Sequence, residues 1–302
     1  MSAVYFDKLI EQVRPQRPRK VAVAGAEDIV VLKAVAEAYH MHIAEPILCG
    51  NEQEIKKLAR EHQIDISDFS IFDASLEQAA KTAVSLIKEG KADMLMKGLL
   101  QTSDLLRAVL DRENGLHSDK TSVLSHVSVA YSPILQRMML LTDGAMVTYP
   151  DLKTKAKMIE NAVKAARGLG IEKPRVAVLA PVEVVNSEMP ATVDAALLAV
   201  MNRRGQIRNC IVDGPLAMDV ALSEEAVRHK GIVSEVAGRA DILLMHNIDV
   251  GNSVIKSFVI GGSCLLGGVI MGADAPVVLT SRSDSDQSKL YSIACAASIC
   301  GN

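Results

Sequence analysis

With 302 residues, the chain is long enough for two domains and a core that needs no disulfide or metal staples. It is 49% apolar and 23% charged, with a net charge of −3 and no Trp; that balance excludes the basic surface and stacking aromatics of a nucleic-acid or membrane-surface binder. Its five cysteines, Cys49, Cys210, Cys264, Cys295 and Cys300, lie scattered in apolar segments with no CxxC pair, and read as reduced core residues of a cytosolic protein.

The N-terminal stretch MSAVYFDKLIEQVRPQRPRK holds no apolar run of secretory type and reads as a short solvated lead-in. Residues 20–24 (KVAVA) form a continuous apolar run, the pattern of a strand buried on both faces. Residues 27–39 have helical spacing, and strand–helix pairs repeat at 46–49 and 52–62, at 69–72 and 76–88, and at 94–96 and 103–110. Four β–α units in succession imply a parallel sheet with helices on both faces. Between 121 and 147 the helical pattern stops; SVLSHVSVAYSP, MMLLTDG and AMVTYP are apolar runs punctuated by Pro133, Gly144 and Pro150, and antiparallel strands are predicted. Alternation resumes with helix 153–168, strand 175–180, helix 188–202, strand 208–213, helix 219–228, strand 241–245 and a helix near 252–260. Strands 268–271 and 276–280 and a helix over 286–299 close the chain. The uncharged stretch 257–273 holds five glycines and falls short of the roughly 20 apolar residues of a membrane span, so a helix end, a glycine turn and a buried strand are predicted there. The chain breaks near 120 into α/β domains of 1–120 and 121–275, with the last strand and helix, 276–302, open to either.

The absence of common motifs narrows the chemistry. No GxGxxG follows the first strand, no Walker Lys follows the glycines of 262–268, and no GxSxG or HExxH occurs. His40 and His42 have no neighbours to complete a metal set, and no metal is predicted. What remains is a series of short polar clusters at strand ends, where open α/β sheets bind ligands. Lys97 follows the fourth strand, as a ligand group or a solvated loop charge. Ser125 and His126 sit in an apolar run, the histidine as a ligand or as a satisfied core residue. Thr142, Asp143 and Gly144 end another run, and Asp213, Gly214 and Pro215 end a third. Asn252 either caps a helix or binds an anion together with Lys256, one turn later on the same face. The segment TSRSDSD (280–286) gathers hydroxyls and an Arg at a helix start, where free N–H groups and the dipole favour an anion. An Arg in a first helical turn opposes that dipole and needs a further reason to be there. The residues alone thus describe a cytosolic two-domain α/β protein that binds an anionic small molecule in an interdomain cleft.

Those clusters, in that order, resemble the phosphate acetyl/butyryl transferase family. The resemblance is carried by MLMKGLLQTSDLLRAVL (94–110), VLSHVSVAYSP (123–133), LTDGAMVTYPDLKTKAKMIENAV (141–163), RVAVLAPVEVVNSEMPATVDAALL (175–198), IVDGPLAMDVAL (211–222), DVGNSVIKSF (249–258) and VVLTSRSDSDQSKLYSIACA (277–296). Within the family the chain looks like the butyryl type, from VAVAGAEDIVVLKAV (21–35), AEPILCG (44–50) and SRSDSDQSKLYS. The resemblance implies a fold of isocitrate/isopropylmalate dehydrogenase type, with the C-terminal strand and helix returned to the first domain and dimerisation through the second. It implies the reversible reaction butanoyl-CoA plus phosphate to butanoyl phosphate plus CoA, in a ternary complex, with no resident cofactor. Partners are then acyl-CoA, phosphate, acyl phosphate and a second copy of the chain, in the cytoplasm.

Acetyl-type members carry S-R-G-x-S-x-x-D, with Ser as oxyanion donor, Arg as phosphate ligand and Asp as base. Ser281 and Arg282 match the first two positions and Ser285 the later Ser, but Ser283 replaces the Gly and Ser288 stands where the base is expected. Asp286 and Asp284 are the nearest carboxylates, and Asp286 is taken as the base. Lys97, Arg107, Ser125, His126, Asn186, Asn252 and Lys256 are taken as substrate-binding residues. The turn PVEVVN (181–186) is more apolar than its acetyl-type counterpart and suits a longer acyl chain. Competing readings are another phosphate acyltransferase, such as the acetyl type, a dehydrogenase of the same fold, or a non-catalytic sensor of acyl phosphate or CoA.

Overall fold

A computed structural model describes residues 3–13, 17–117, 119, 121–280 and 284–300. In chain order the elements are α1 (Ala3–Val13), β1 (Arg19–Ala24), α2 (Ile29–His40), β2 (Ala44–Gly50), α3 (Glu52–Glu61), β3 (Ser70–Asp73), α4 (Leu76–Lys88), β4 (Met94–Lys97) and α5 (Thr102–Val109). There follow β5 (Ser125–Ser132), β6 (Arg137–Thr142), α6 (Leu152–Gly168), β7 (Arg175–Leu179), α7 (Pro190–Arg203), β8 (Ile211–Leu216), α8 (Met218–Leu222), α9 (Glu224–Lys230) and β9 (Ile242–Leu244). The chain closes with α10 (Ile248–Ile260), β10 (Leu265–Met271), β11 (Val277–Val278) and α11 (Asp286–Cys300). The elements divide into two compact units: Ala3–Ser122 joined by the chain from Leu266, and Val123–Leu265. The return to the first unit starts at Leu266, where the sequence reading put it at 276.

In the first unit the strands run in the order β3-β2-β1-β4-β11-β10, all parallel except the β10–β11 pair. The β-branched run of β1 lies at its centre, with Val23 aligned on Leu48 and Met96, and Val21 to Ala24 are fully buried. Asp28 caps α2 by accepting from the amides of Val30 and Val31 at 2.8 and 3.0 Å. α11 is apolar or small on every side, which makes it an interior helix; residues from Lys289 to Ile299 are buried. The N-terminal lead-in expected from sequence is instead the helix α1. Its Phe6, Leu9 and Ile10 share one buried stripe, and the Phe6 ring stacks on Tyr291 of α11 at 4.2 Å.

In the second unit the order is β5-β6-β9-β7-β8, with β5 and β6 an antiparallel pair and the rest parallel. β8 runs on through Pro215; it is the last strand in that order, paired in the sheet to β7, which is where a strand tolerates a residue without an N–H. The single helix expected over 219–228 is two, α8 and α9, because Ser223 is extended and caps α9 through the Ala226 amide at 3.2 Å. Helix α10 begins four residues earlier than its predicted start of 252, capped by Asn247, whose side chain accepts from the Val250 amide at 3.1 Å. The uncharged stretch resolves into the end of α10, a glycine turn and β10. Among the described residues, no helix is long and apolar enough to cross a membrane.

Candidate functional site

The carboxyl ends of β1 and β4 in the first unit meet through their turns. Gly98 donates to the Ala24 carbonyl at 2.8 Å and Leu99 to the Gly25 carbonyl at 2.7 Å. A Cβ on Gly98 would stand 1.9 Å from the Gly25 oxygen, so only glycine allows this approach. Lys97 ends β4 and is buried; its ammonium donates to the carbonyls of Gly98 and Leu100 at 3.0 and 3.1 Å. It is therefore no solvated loop charge, and part of its donor capacity is used by its own turn.

Ser281 and Arg282, matched to the family's Ser and Arg, lie outside the described residues. The chain on either side of them is anchored by a residue that sequence reading passed over. Lys289, one turn into α11 and 4% exposed, donates to Thr280 Oγ1 at 3.2 Å and to the Asp284 carbonyl at 3.3 Å. Burial draws its pKa down, while Asp284 and Asp28 draw it up. The sequence signal was present but unread: a Lys inside an apolar helix pattern needs a buried acceptor set.

Asp286 is exposed and accepts from the Gln287 amide at 2.9 Å. Its side chain lines a groove of about 600 Å³ with Lys33, Glu37, His40 and Asp65, and Lys97 is not part of that groove. Arg107 is exposed on α5, paired with Asp104 at 3.2 Å, and lines a separate groove of about 790 Å³ between α4 and α5 with Lys81, Lys88 and Asp111. The structure thus distributes Lys97, Arg107 and Asp286 over different surroundings.

In the second unit, the ends of β6 and β9 are knitted into one edge. The Asp143 carboxylate, 1% exposed, accepts from the amides of His126 and Ala145 at 2.7 Å, Met146 at 2.8 Å and Val147 at 3.3 Å. Four backbone donors converging on one carboxylate balance its buried charge and hold the start of β5 against the 143–147 loop. Tyr149 ties that loop to α10 through Asp249 at 2.8 Å, and Asn252 donates to the Gly144 carbonyl at 3.0 Å. Asn252 is thus neither a helix cap nor idle; it is an exposed clamp between loop and helix, with Lys256 exposed one turn beyond. Ser125 and His126 are both buried, Ser125 bonded to Asn161 at 2.8 Å and His126 sharing a 3.3 Å contact between its Nδ1 and Ser128. Asn186 folds its own turn: its Oδ1 accepts from the Glu188 amide at 2.9 Å and its carbonyl from the Thr192 hydroxyl at 3.0 Å. Beside it, Val184 and Val185 are largely exposed. Among the described residues, no group of three or more His, Cys, Asp or Glu side chains is placed to hold a metal ion.

Each unit therefore presents buried polar groups at the carboxyl edge of its parallel strands, the place where α/β folds hold small ligands. Comparison with known proteins gives this edge a family. The family model for phosphate acetyl/butaryl transferase matches residues 4–82 and 74–297. The chain is 48% identical to the phosphate butyryltransferase of Clostridium acetobutylicum over 98% of both chains. It is 42% identical to the phosphate acetyltransferase of Thermotoga maritima over 97% of this chain and 99% of that one. The crystal structure of a branched-chain phosphotransacylase from Enterococcus faecalis superposes with a TM-score of 0.82 at 34% identity, covering 93% of this chain and 99% of that one. The chain belongs to the phosphate acetyl/butaryl transferase family.

Proposed function

We propose that the protein moves a short-chain acyl group between CoA and phosphate, with butanoyl-CoA as its preferred thioester. The observation that carries this reading is the 48% identity to a phosphate butyryltransferase along 98% of both chains. In the forward direction a phosphate oxygen attacks the thioester carbonyl, the tetrahedral oxyanion collapses, and the C–S bond breaks to release CoA thiolate. In reverse the thiol must lose its proton to attack, because a free thiol is mostly protonated at neutral pH.

In this proposal Ser281 donates to the oxyanion, Arg282 holds phosphate and balances its charge, and Asp286 takes the thiol proton. Lys97, Arg107, Ser125, His126, Asn186, Asn252 and Lys256 serve substrate binding. Asp284 is the second carboxylate to test, because with Asp286 it is the nearest in sequence to the expected base position, and its charge acts on the buried Lys289. An Asp286→Asn variant with near-normal turnover beside an inactive Asp284→Asn would transfer the role to Asp284. The exposed Val184 and Val185 support an acyl-chain surface at the 181–186 turn. Two further buried methylenes at about 0.8 kcal/mol each correspond to a roughly tenfold preference for butanoyl over acetyl. The proposal also includes the isocitrate/isopropylmalate dehydrogenase-like form of the fold, a cytoplasmic location and a homodimer formed through the second unit. Exposed Ile134, Val233 and Ile260 there favour self-association.

The test is thiol release. Purified protein is mixed with butanoyl-CoA and phosphate, and free CoA is followed with a thiol reagent, omitting phosphate as control. Phosphate-dependent release, faster than with acetyl-CoA, supports the reading. Release faster with acetyl-CoA replaces the butyryl preference with the acetyl one, and CoA binding without release replaces the enzyme with a sensor.

A further inference from the structure

Next to the loop that leaves β9, a buried lysine holds a polar cluster that none of the roles above uses. Lys155, in the first turn of α6, is 2% exposed. Its ammonium donates to Asp194 Oδ2 of α7 at 2.6 Å and to His246 Nδ1 at 2.9 Å. This arrangement is costly in two ways. A cation in a first helical turn opposes the helix dipole. Taking an ion pair out of water also costs more than a surface pair recovers. What the cluster accomplishes is to fasten one histidine at the carboxyl end of β9, directly before Asn247, the cap of α10.

The proton count settles the state of that histidine. An ammonium carries three donors and no acceptor, so the ring nitrogen facing it must be unprotonated. The single ring proton therefore sits on Nε2. Burial and the Lys155 charge lower the pKa of His246, against the pull of Asp194, and keep the ring neutral at pH 7. With Nδ1 held by a buried lysine, the ring nitrogen left to meet a ligand on this half-exposed side chain is Nε2, which carries the proton.

We propose that His246 is a substrate-binding residue, a neutral imidazole locked by Lys155 and Asp194 as the Nε2–H tautomer, which donates a hydrogen bond to an anionic oxygen of phosphate or acyl phosphate. Lys155 and Asp194 are positioning residues that act through the ring. No proton is transferred at His246; it contributes a donor of fixed direction. The inference rests on the phosphate acyltransferase reading for its ligand, and on the Lys155 geometry for its tautomer.

Two measurements on the full chain test it. In the thiol-release assay with varied inorganic phosphate, His246→Asn removes the Nε2 donor, while the amide nitrogen of His246→Gln replaces it. His246→Asn should raise the KM for phosphate about tenfold with little change in kcat, and His246→Gln should recover most of the loss. In ¹⁵N spectra of histidine-labelled protein, wild-type His246 should be protonated at Nε2 only, and Lys155→Met should bring in the other tautomer. An active wild type whose Asn and Gln variants behave alike overturns the binding role, and an Nδ1–H signal in the wild type overturns the tautomer lock. A wild type without phosphate-dependent release instead overturns the acyltransferase reading and with it the ligand assigned to His246, a failure seen before any variant is compared.

Discussion

Gly251 of α10 lies directly against the main chain of Asp143: a Cβ at Gly251 would stand 2.0 Å from the Asp143 carbonyl oxygen and 2.9 Å from its carbonyl carbon. The obstructing atoms are backbone, so no side-chain rotation relieves the clash. Helix α10 and the loop after β6 can share one edge only because position 251 has no side chain.

Gly251→Ala should therefore push the start of α10 away from the loop and break the Asn252 to Gly144 bond. The expected loss is about 1–3 kcal/mol of stability. Activity should fall more steeply than stability, by about a hundredfold, because small displacements of a positioned group are amplified in the rate. A thermal melt together with the thiol-release assay checks both, and a variant with wild-type rate would show that this edge does not serve the reaction.

Asp143 makes a different prediction from the same place. Asparagine keeps its shape but replaces one acceptor oxygen with a donor NH₂ that faces backbone N–H groups. Asp143→Asn should lose about 2–4 kcal/mol, from unsatisfied buried amides and the missing charge. The measurement is the shift in Tm against wild type, and an unchanged Tm would remove the carboxylate from the list of structural supports.

The thiols should be silent in the native state. Burial pushes Cys49 and Cys295 up to about 12 and Cys210 up to about 11, and raises Cys264 as well. These four are buried, whereas Cys300 is half-buried. An aromatic disulfide reagent at neutral pH should modify at most one thiol per chain before unfolding and all five afterwards. Rapid native modification of more than one would contradict the burial of Cys49, Cys210, Cys264 and Cys295.

His246 sets a pH dependence. Its folded pKa lies below the ordinary value of about 6.5, so the unfolded chain binds the proton more readily. The stability it supports is present above about pH 6.5 and drains away as pH falls through the folded value. Wild type should therefore lose more Tm between about pH 7.5 and pH 5.5 than His246→Gln, which has no proton to gain. Equal losses in the two proteins would show that the ring titrates alike in folded and unfolded states.

Much of the architecture was legible before any coordinates. KVAVA at 20–24 marks a strand buried on both faces, the β–α alternation marks parallel strands, and the glycines of 257–273 mark a turn rather than a span. These are local properties of period and backbone preference, and they are written in consecutive residues. The family, too, was legible, because the order of several short motifs survives along the whole chain. Helix α1 was missed, although Phe6, Leu9 and Ile10 have helical spacing, because a short amphipathic stripe means little until Tyr291 supplies the ring it stacks on. Spacing leaves Asn252 open as a cap or a ligand group; the cap is Asn247, and only the path of the chain past Gly144 decides what Asn252 bonds.

Long-range partners were beyond sequence reading. Lys155 meets Asp194 39 positions away and His246 91 positions away. Lys289 reaches back to Thr280 and Asp284, and Asp143 gathers the amide of His126, 17 positions away, together with those of its own following loop. Local preference accounts for the Asp143 bonds to its own loop, but encodes none of the distant pairings. A buried charge draws its stability from whichever groups the fold places within hydrogen-bond reach, so its partner, its protonation and its role are set by packing. The sequence alone determined the β–α order of the two units and the family; the tertiary structure decided which polar residues are buried together, because desolvation makes their free energy depend on neighbours in space rather than neighbours in the chain.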